Sequence, residues 1–280
     1  MSRYAYVNGN FTRFNQAKVH IEDRGLQFGD SVYEVWAAKD GVLLDDIGHL
    51  QRLSRSLGML RIELPLPLGS LKPIIGNLLR LNRVKNGLVY LQITRGVAPR
   101  DHPFPKNSIP TIIITVRPKN YAQLEAKAEK GIKIVTKKDL RWKRVDIKTT
   151  NLLPNLLAKQ EALDDGADDV WFFDDNGKIT EGSAQNAWIL NKEGNLQTRG
   201  LGEDILGGIT RSTIMALAKK LNLKIVEKPF SVQEAIEARE AFVTSATSFV
   251  TAVVEIDGRP IGNGNVGSVA TILRKAYFEN

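Results

Sequence analysis

The 280-residue chain is 42% hydrophobic and 25% charged, a balance that excludes a disordered or fibrous protein and gives enough length for two domains with separate cores. Cysteine is absent, which excludes disulfides, thiolate metal sites and a cysteine nucleophile. The formal charge of +8 favours anionic partners, whether nucleic acid, a phosphorylated cofactor or a carboxylate substrate. No run of eighteen apolar residues occurs and the first residues lack the apolar core of a signal peptide, so no membrane partner and a cytoplasmic location are expected.

In chain order, strand patterns at 4–7 and 32–36 are punctuated by Asn8-Gly9 and Asp40-Gly41, pairs suited to hairpin turns. Leu50, Leu53, Leu57 and Leu60 recur at helical spacing and predict a helix over 48–60, closed by Pro65 and Pro67. Arg52 lies off that stripe, so a surface position from which it can reach an anion is expected. A second helix is predicted at 71–81, then strands at 88–94 and 111–116. After Pro118 the chain turns polar and rich in Lys, Glu and Ala, which places a linker near 118–125 between domains 1–120 and 121–280. Strands at 132–136, 170–173, 187–190 and 241–243 then alternate with helices near 152–163, 210–221 and 231–238, so both halves are α+β.

Four stretches could carry chemistry. Lys148 follows Val145-Asp146-Ile147 at a strand-to-helix junction, with Asn151 as the expected N-cap and Pro154 in the first helical turn. A lysine at such an edge can be partly desolvated into a usable amine nucleophile, although most lysines are plain surface charges. Glu181 should project from the strand that returns after the Asn176-Gly177 turn, either toward a cationic nitrogen or simply into solvent. Gly207-Gly208-Ile209-Thr210 opens a helix whose first N–H groups could grip a phosphate, and Ser245-Ala246-Thr247-Ser248 adds hydroxyl donors; each is also ordinary turn or loop sequence. The basic run Lys137, Lys138, Arg141, Lys143 and Arg144 around Trp142 looks superficially like a nucleic-acid platform. Asp139 and Asp146 interrupt it and no recognition motif accompanies it, so a solvated strand face is preferred. His20, His49 and His102 are widely spaced, which leaves a histidine metal centre or a Ser-His-Asp triad without support.

Together with Glu22-Asp23-Arg24-Gly25 through Tyr33-Glu34-Val35 and Thr94-Arg95-Gly96 through Pro103-Phe104-Pro105, these motifs make the chain resemble the class IV (fold type IV) pyridoxal-phosphate enzymes. Within them it is most similar to the D-amino acid transaminases. The resemblance implies a two-domain α+β subunit with pyridoxal 5'-phosphate in the interdomain cleft, working as a homodimer. It implies catalytic roles for Lys148, Glu181 and Tyr33: Lys148 holds the cofactor covalently, Glu181 pairs with the pyridine nitrogen, and Tyr33 lies beside the ring-oxygen side. Cofactor binding falls to Arg52, Lys148, Glu181, Ile209, Thr210, Ser245, Ala246 and Thr247. Tyr33, Arg100 and His102 form the trap for the substrate carboxylate. The implied substrates are D-amino acids such as D-alanine or D-glutamate and 2-oxo acids such as pyruvate or 2-oxoglutarate. Alternatives on the same scaffold are a branched-chain L-amino acid aminotransferase and an aminodeoxychorismate lyase, between which Arg100-x-His102 decides for the D-specific type. Gly207, Ala184-Gln185 and Ala246 depart from the usual residues, which bears on fine phosphate and substrate contacts.

Overall fold

The computed structural model describes residues 3–279 and divides into two compact units, one running to Tyr121 and including Ile147–Asn151, the other formed by Ala122–Asp146 and the chain from Leu152 onward. In the first unit the strands are β1 (Tyr4–Val7), β2 (Asn10–Arg13), β3 (Ser31–Lys39), β4 (Val42–Leu43), β5 (Gly87–Thr94) and β6 (Thr111–Pro118). They form an antiparallel sheet in the order β2-β1-β6-β5-β3-β4. Its helices are α1 (Arg24–Phe28), α2 (Asp46–Leu60) and α3 (Leu71–Asn82). The period of two along β3 sends Val32, Glu34, Trp36 and Ala38 to one face, where they are buried, and Tyr33 and Val35 to the other, where they are half-buried. Leu53 and Leu57 of α2, Ile75 and Leu78 of α3 and Val89, Leu91 and Ile93 of β5 complete this core.

Five expectations need correction here. Helix α2 stops at Leu60, before Pro65, because Arg61 takes a left-handed conformation (φ 54°) and its N–H closes on the Leu57 and Gly58 carbonyls. Arg52 is buried rather than on the surface: the inward face of α2 runs through His49, Arg52, Leu53, Ser56 and Leu57, polar groups included. The Lys148 segment packs with the first unit, not the second, since Val32 and Thr149 form an isolated antiparallel bridge and the Tyr33 N–H donates to the Lys148 carbonyl at 2.9 Å. Residues 145–147 are turn rather than strand. Asn151 does not cap the following helix; its Oδ1 closes over Gly29, whose φ of +64° and missing Cβ (an added one would lie 2.3 Å from that oxygen) make room for it.

The second unit begins one residue into α4 (Tyr121–Lys130), a helix where an irregular linker was expected. Its strands are β7 (Ile132–Lys138), β8 (Asp169–Phe173), β9 (Ile179–Gly182), β10 (Asn186–Leu190), β11 (Leu196–Thr198), β12 (Ile225–Glu227), β13 (Glu240–Ser245), β14 (Phe249–Ile256) and β15 (Arg259–Pro260). They run β12-β11-β10-β13-β14-β7-β8-β9, with β15 on β14, and mix parallel with antiparallel pairs. The helices are α5 (Leu153–Asp164), α6 (Ile209–Lys220), α7 (Val232–Ile236) and α8 (Ser268–Glu279). Strand β10 is buried at every residue, which explains its unbroken apolar run Ala187-Trp188-Ile189-Leu190. Around it Trp171, Phe230, Val243, Val253 and Ile256 form the core. No described helix is long and apolar enough to cross a membrane.

Candidate active site

In the first unit Lys148 is held at both of its peptide groups. Its N–H donates to Ser56 Oγ at 3.4 Å and its carbonyl accepts from Tyr33, so the side chain leaves a fixed base. The amine Nζ lies 4.2 Å from the centroid of the Tyr33 ring, over a face whose quadrupole favours a cation. Tyr33 in turn stacks on Tyr90, centroids 5.8 Å apart. The Tyr90 hydroxyl donates to Gln92 Oε1 (2.9 Å), Gln92 Nε2 donates to Ser31 Oγ (3.2 Å), and Ser31 shares a 2.6 Å hydrogen bond with Thr150. Burial, with Tyr33 adding, pushes the Tyr90 phenol up to about 12, so it is a neutral donor at physiological pH.

On the other face of β3 sits a buried carboxylate cluster. Glu34 accepts from Arg52 Nε at 2.7 Å, from Arg52 Nη2 at 2.8 Å and from His49 Nδ1 at 2.7 Å. Burial alone would raise the Glu34 pKa, yet Arg52 and His49 bring it down to about 2. His49 is lowered, by burial first and also by the positive charges of Arg52 and Lys148, against the pull of Glu34. It is therefore neutral, and its bond to Glu34 puts the proton on Nδ1.

The loop after β5 is pinned by charge. Asp30 takes Arg95 through Nε (2.7 Å) and Nη2 (2.9 Å) and Arg24 through Nε (2.9 Å), while Arg24 Nη1 donates to the Asp101 carbonyl at 2.6 Å. Arg100 and His102, both exposed, come together on one ring: the Arg100 guanidinium lies 5.0 Å from the Phe28 centroid and the His102 ring 5.9 Å from it. The structure thus groups Arg100 with His102, while Tyr33 accompanies Lys148.

In the second unit Glu181 is buried on β9, not exposed on the hairpin. Its Oε1 accepts from Arg141 Nη1, and its Oε2 accepts from Asn186 Nδ2 (3.0 Å) and from the Leu206 N–H (3.1 Å). Burial above all raises the Glu181 pKa and Asp139 adds to it, whereas Arg141 and the Leu206 N–H oppose. Arg141 is itself gripped by Asp139 at 2.9 Å (Nε) and 2.7 Å (Nη2). Local sequence groups Arg141 with a solvated basic face; it is buried instead because two carboxylates enclose it, and residues 139–146 are loop rather than strand. The acid that interrupts the basic run, Asp139-x-Arg141, is the available signal. Glu34, His49, Tyr90 and Asn186 also escape sequence reasoning, since nothing local distinguishes them from other polar residues.

Helix α6 opens at Ile209 with Gly208 as an N-cap that offers no side chain. A Cβ on Gly208 would stand 2.0 Å from Asn186 Oδ1, so only glycine fits beside the residue that holds Glu181. Thr210 is buried and its hydroxyl has no partner among the described residues. After β13, Ser245 Oγ bonds Ser248 Oγ at 2.8 Å and Thr247 Oγ1 at 3.3 Å, and Ala246 contributes only backbone.

A two-unit α+β chain with an anchored lysine, a buried carboxylate and a glycine-capped helix start defines a class, and the family model for amino-transferase class IV matches residues 31–256. The chain belongs to that family. It is 37% identical to a D-alanine aminotransferase of Staphylococcus haemolyticus over 97% of this chain and 95% of that one. Against a D-alanine aminotransferase of Listeria monocytogenes it is 35% identical over 98% and 94%. In structure it is similar to the Escherichia coli branched-chain amino acid aminotransferase (TM-score 0.93, 27% identity, 100% of this chain and 94% of that one). The T.th. branched-chain amino acid aminotransferase with pyridoxamine 5'-phosphate gives the same TM-score of 0.93 and identity of 27% over the same shares.

Proposed function

We propose that the protein is a pyridoxal-phosphate-dependent transaminase that moves the amino group between D-amino acids, such as D-alanine and D-glutamate, and 2-oxo acids, such as pyruvate and 2-oxoglutarate, as a cytoplasmic homodimer. The observation that carries this is full-length similarity at 35–37% identity to D-alanine aminotransferases, against 27% to the branched-chain enzymes that share the fold. The residues present fit the cofactor. Thr210 keeps a buried hydroxyl without a partner among the described residues, at a helix start with no side-chain cap, a donor for a phosphate. Glu181 Oε1 has one donor and so a lone pair for a pyridinium N–H.

When bound, pyridoxal 5'-phosphate supplies an aldehyde that condenses with amines and a ring that accepts electrons. The other work belongs to the chain. Lys148 would hold the cofactor by its amine, and that same amine is the base that takes the substrate Cα proton and gives it back. Glu181 keeps the ring nitrogen protonated. Ile209, Thr210, Ser245, Ala246, Thr247 and Arg52 hold the phosphate, and Tyr33, Arg100 and His102 bind the substrate carboxylate and set D-selectivity. Turnover of D-alanine against L-leucine, with 2-oxoglutarate as acceptor, tests the assignment. D-alanine should be the faster donor; faster turnover of L-leucine would transfer the assignment to the branched-chain type.

A further inference from the structure

The carboxylate assigned to the ring nitrogen is the end of a chain of three charges, of which Glu181 and Arg141 are buried and Asp139 is half-buried. Asp139 accepts from Arg141 Nε at 2.9 Å, from Arg141 Nη2 at 2.7 Å, from the Arg141 backbone N–H at 3.0 Å and from Thr180 Oγ1 at 2.8 Å. Arg141 Nη1 then donates to Glu181. An Arg141–Glu181 pair alone is neutral and has no electrostatic demand for another cation. Asp139 changes that sum: burial raises the Glu181 pKa against Arg141 and the Leu206 N–H, but with a cationic ring nitrogen facing it Glu181 is ionised, and with both carboxylates ionised the chain carries one excess negative charge, set between the Phe172 ring, 4.9 Å from the guanidinium carbon, and strand β9. Burial works to raise the Asp139 pKa, yet Arg141 and Thr180 bring it below the ordinary carboxylate value, so Asp139 is ionised.

Among the described residues, the other groups bonded to these three bring no compensating cation. Asn186 Nδ2 and the Leu206 N–H, which donate to Glu181, are neutral. The Asp204 carbonyl accepts from Arg141 Nη2, and the Asp204 carboxylate is already paired with Arg199. Glu181 Oε1, which accepts from Arg141 Nη1, has an acceptor position for a further donor.

We propose that Asp139 is a positioning residue for the transamination: it fixes the Arg141 fork by two hydrogen bonds and leaves the Asp139–Arg141–Glu181 chain with one excess negative charge, which a cationic ring nitrogen at Glu181 balances. The inference rests on the functional assignment above. Arg141 orients Glu181, and Asp139 keeps Arg141 from cancelling it.

The test compares Asp139→Asn with the unmodified holoprotein, using coenzyme labelled with nitrogen-15 at the ring nitrogen. The nitrogen chemical shift followed against pH reports ring protonation independently of turnover. In Asp139→Asn the midpoint should fall by about one pH unit, as expected for removing one charge two links away in a partly buried site. kcat should fall about tenfold, with KM for the amino donor changed by less than about twofold, the pattern of a group that acts on the transition state rather than on binding. Thr180→Ser keeps the hydroxyl and should match the unmodified protein. If Asp139→Asn does not fold, Asp139→Ser, which removes the same charge from a smaller side chain, should move the midpoint in the same direction, and no movement there overturns the proposal. A variant that loses melting temperature or retains less coenzyme while its midpoint stays in place shows that Asp139 only braces the loop, and overturns it equally. A wild-type protein that takes up no coenzyme overturns the functional assignment and this proposal with it, whereas uptake with an unmoved Asp139→Asn midpoint overturns this proposal alone.

Discussion

Lys148 is restrained by its backbone rather than by an ion pair: Ser56 and Tyr33 hold its two peptide groups and its amine faces the Tyr33 ring. Lys148→Ala keeps those backbone bonds, so the fold should survive while function goes. Borohydride treatment should fix coenzyme to the unmodified protein and not to the variant, and turnover should drop by at least about three orders of magnitude, the upper range for a positioned proton-transfer group. Glu181→Gln keeps the shape but removes the charge that faces Arg141. Its expected cost is about 2–4 kcal/mol in kcat, by analogy with other preorganised electrostatic groups, with coenzyme affinity much less affected. Single-turnover rates of Cα–H cleavage measure it; unchanged rates would remove Glu181 from the mechanism. The roles proposed for the lysine and the glutamate rest on flanking motifs that are local in the sequence. Arg141 is not, because its neighbours in sequence are exposed bases and its two carboxylates come from Asp139 in its own loop and from Glu181 forty residues on.

At the scale of elements, β3 and α2 are locked by Glu34, Arg52 and His49. The alternation of β3 sends Glu34 inward, and the i, i+3 spacing of His49 and Arg52 puts both on the helix face that meets it. Glu34 has a folded pKa of about 2, below its ordinary 4.5, so its contribution to stability is present above pH 4.5 and is lost as pH falls toward 2. The shift corresponds to about 3 kcal/mol. His49 is also depressed, and a neutral buried histidine likewise costs stability as pH falls below its ordinary 6.5. Melting temperature should therefore decline in two stages below pH 6.5. Glu34→Gln should abolish the lower stage and, by leaving the Arg52 charge without its carboxylate, cost about 3–5 kcal/mol at neutral pH. A melting curve of Glu34→Gln with the same acid limb as the unmodified protein would show that this cluster does not set it.

For the whole molecule, the loop with Arg100 and His102 and the pattern of exposed apolar residues belong together. Ile21, Leu26 and Ile109 are 77%, 68% and 82% exposed and lie in the same unit as that loop, so they are side chains that a second subunit of the proposed homodimer would cover. Sedimentation should give a dimer, and Ile109→Asp should weaken it together with activity. Arg100→Ala should leave the dimer intact and raise KM for D-alanine and 2-oxoglutarate by about one to two orders of magnitude, as expected for loss of a charge-assisted pair. Unchanged KM values would take Arg100 out of the carboxylate trap.

The hairpins at Asn8-Gly9 and Asp40-Gly41, most strands and the helices near 48–60, 71–81 and 152–163 could be read from local pattern, because turn chemistry and apolar period are properties of short segments. The family could be read as well, since its motifs are contiguous and in order. What only the tertiary structure decided concerns residues whose partners are distant in sequence. Strand β14 and helix α8 escaped notice, and the Lys148 segment joined the first unit through a bridge to β3 more than a hundred residues earlier. Arg52 and Arg141, both plausible surface bases by local pattern, became buried because carboxylates elsewhere in the chain offset the cost of taking a guanidinium out of water. Burial of a charge is settled by its partner, and the partner is supplied by the fold.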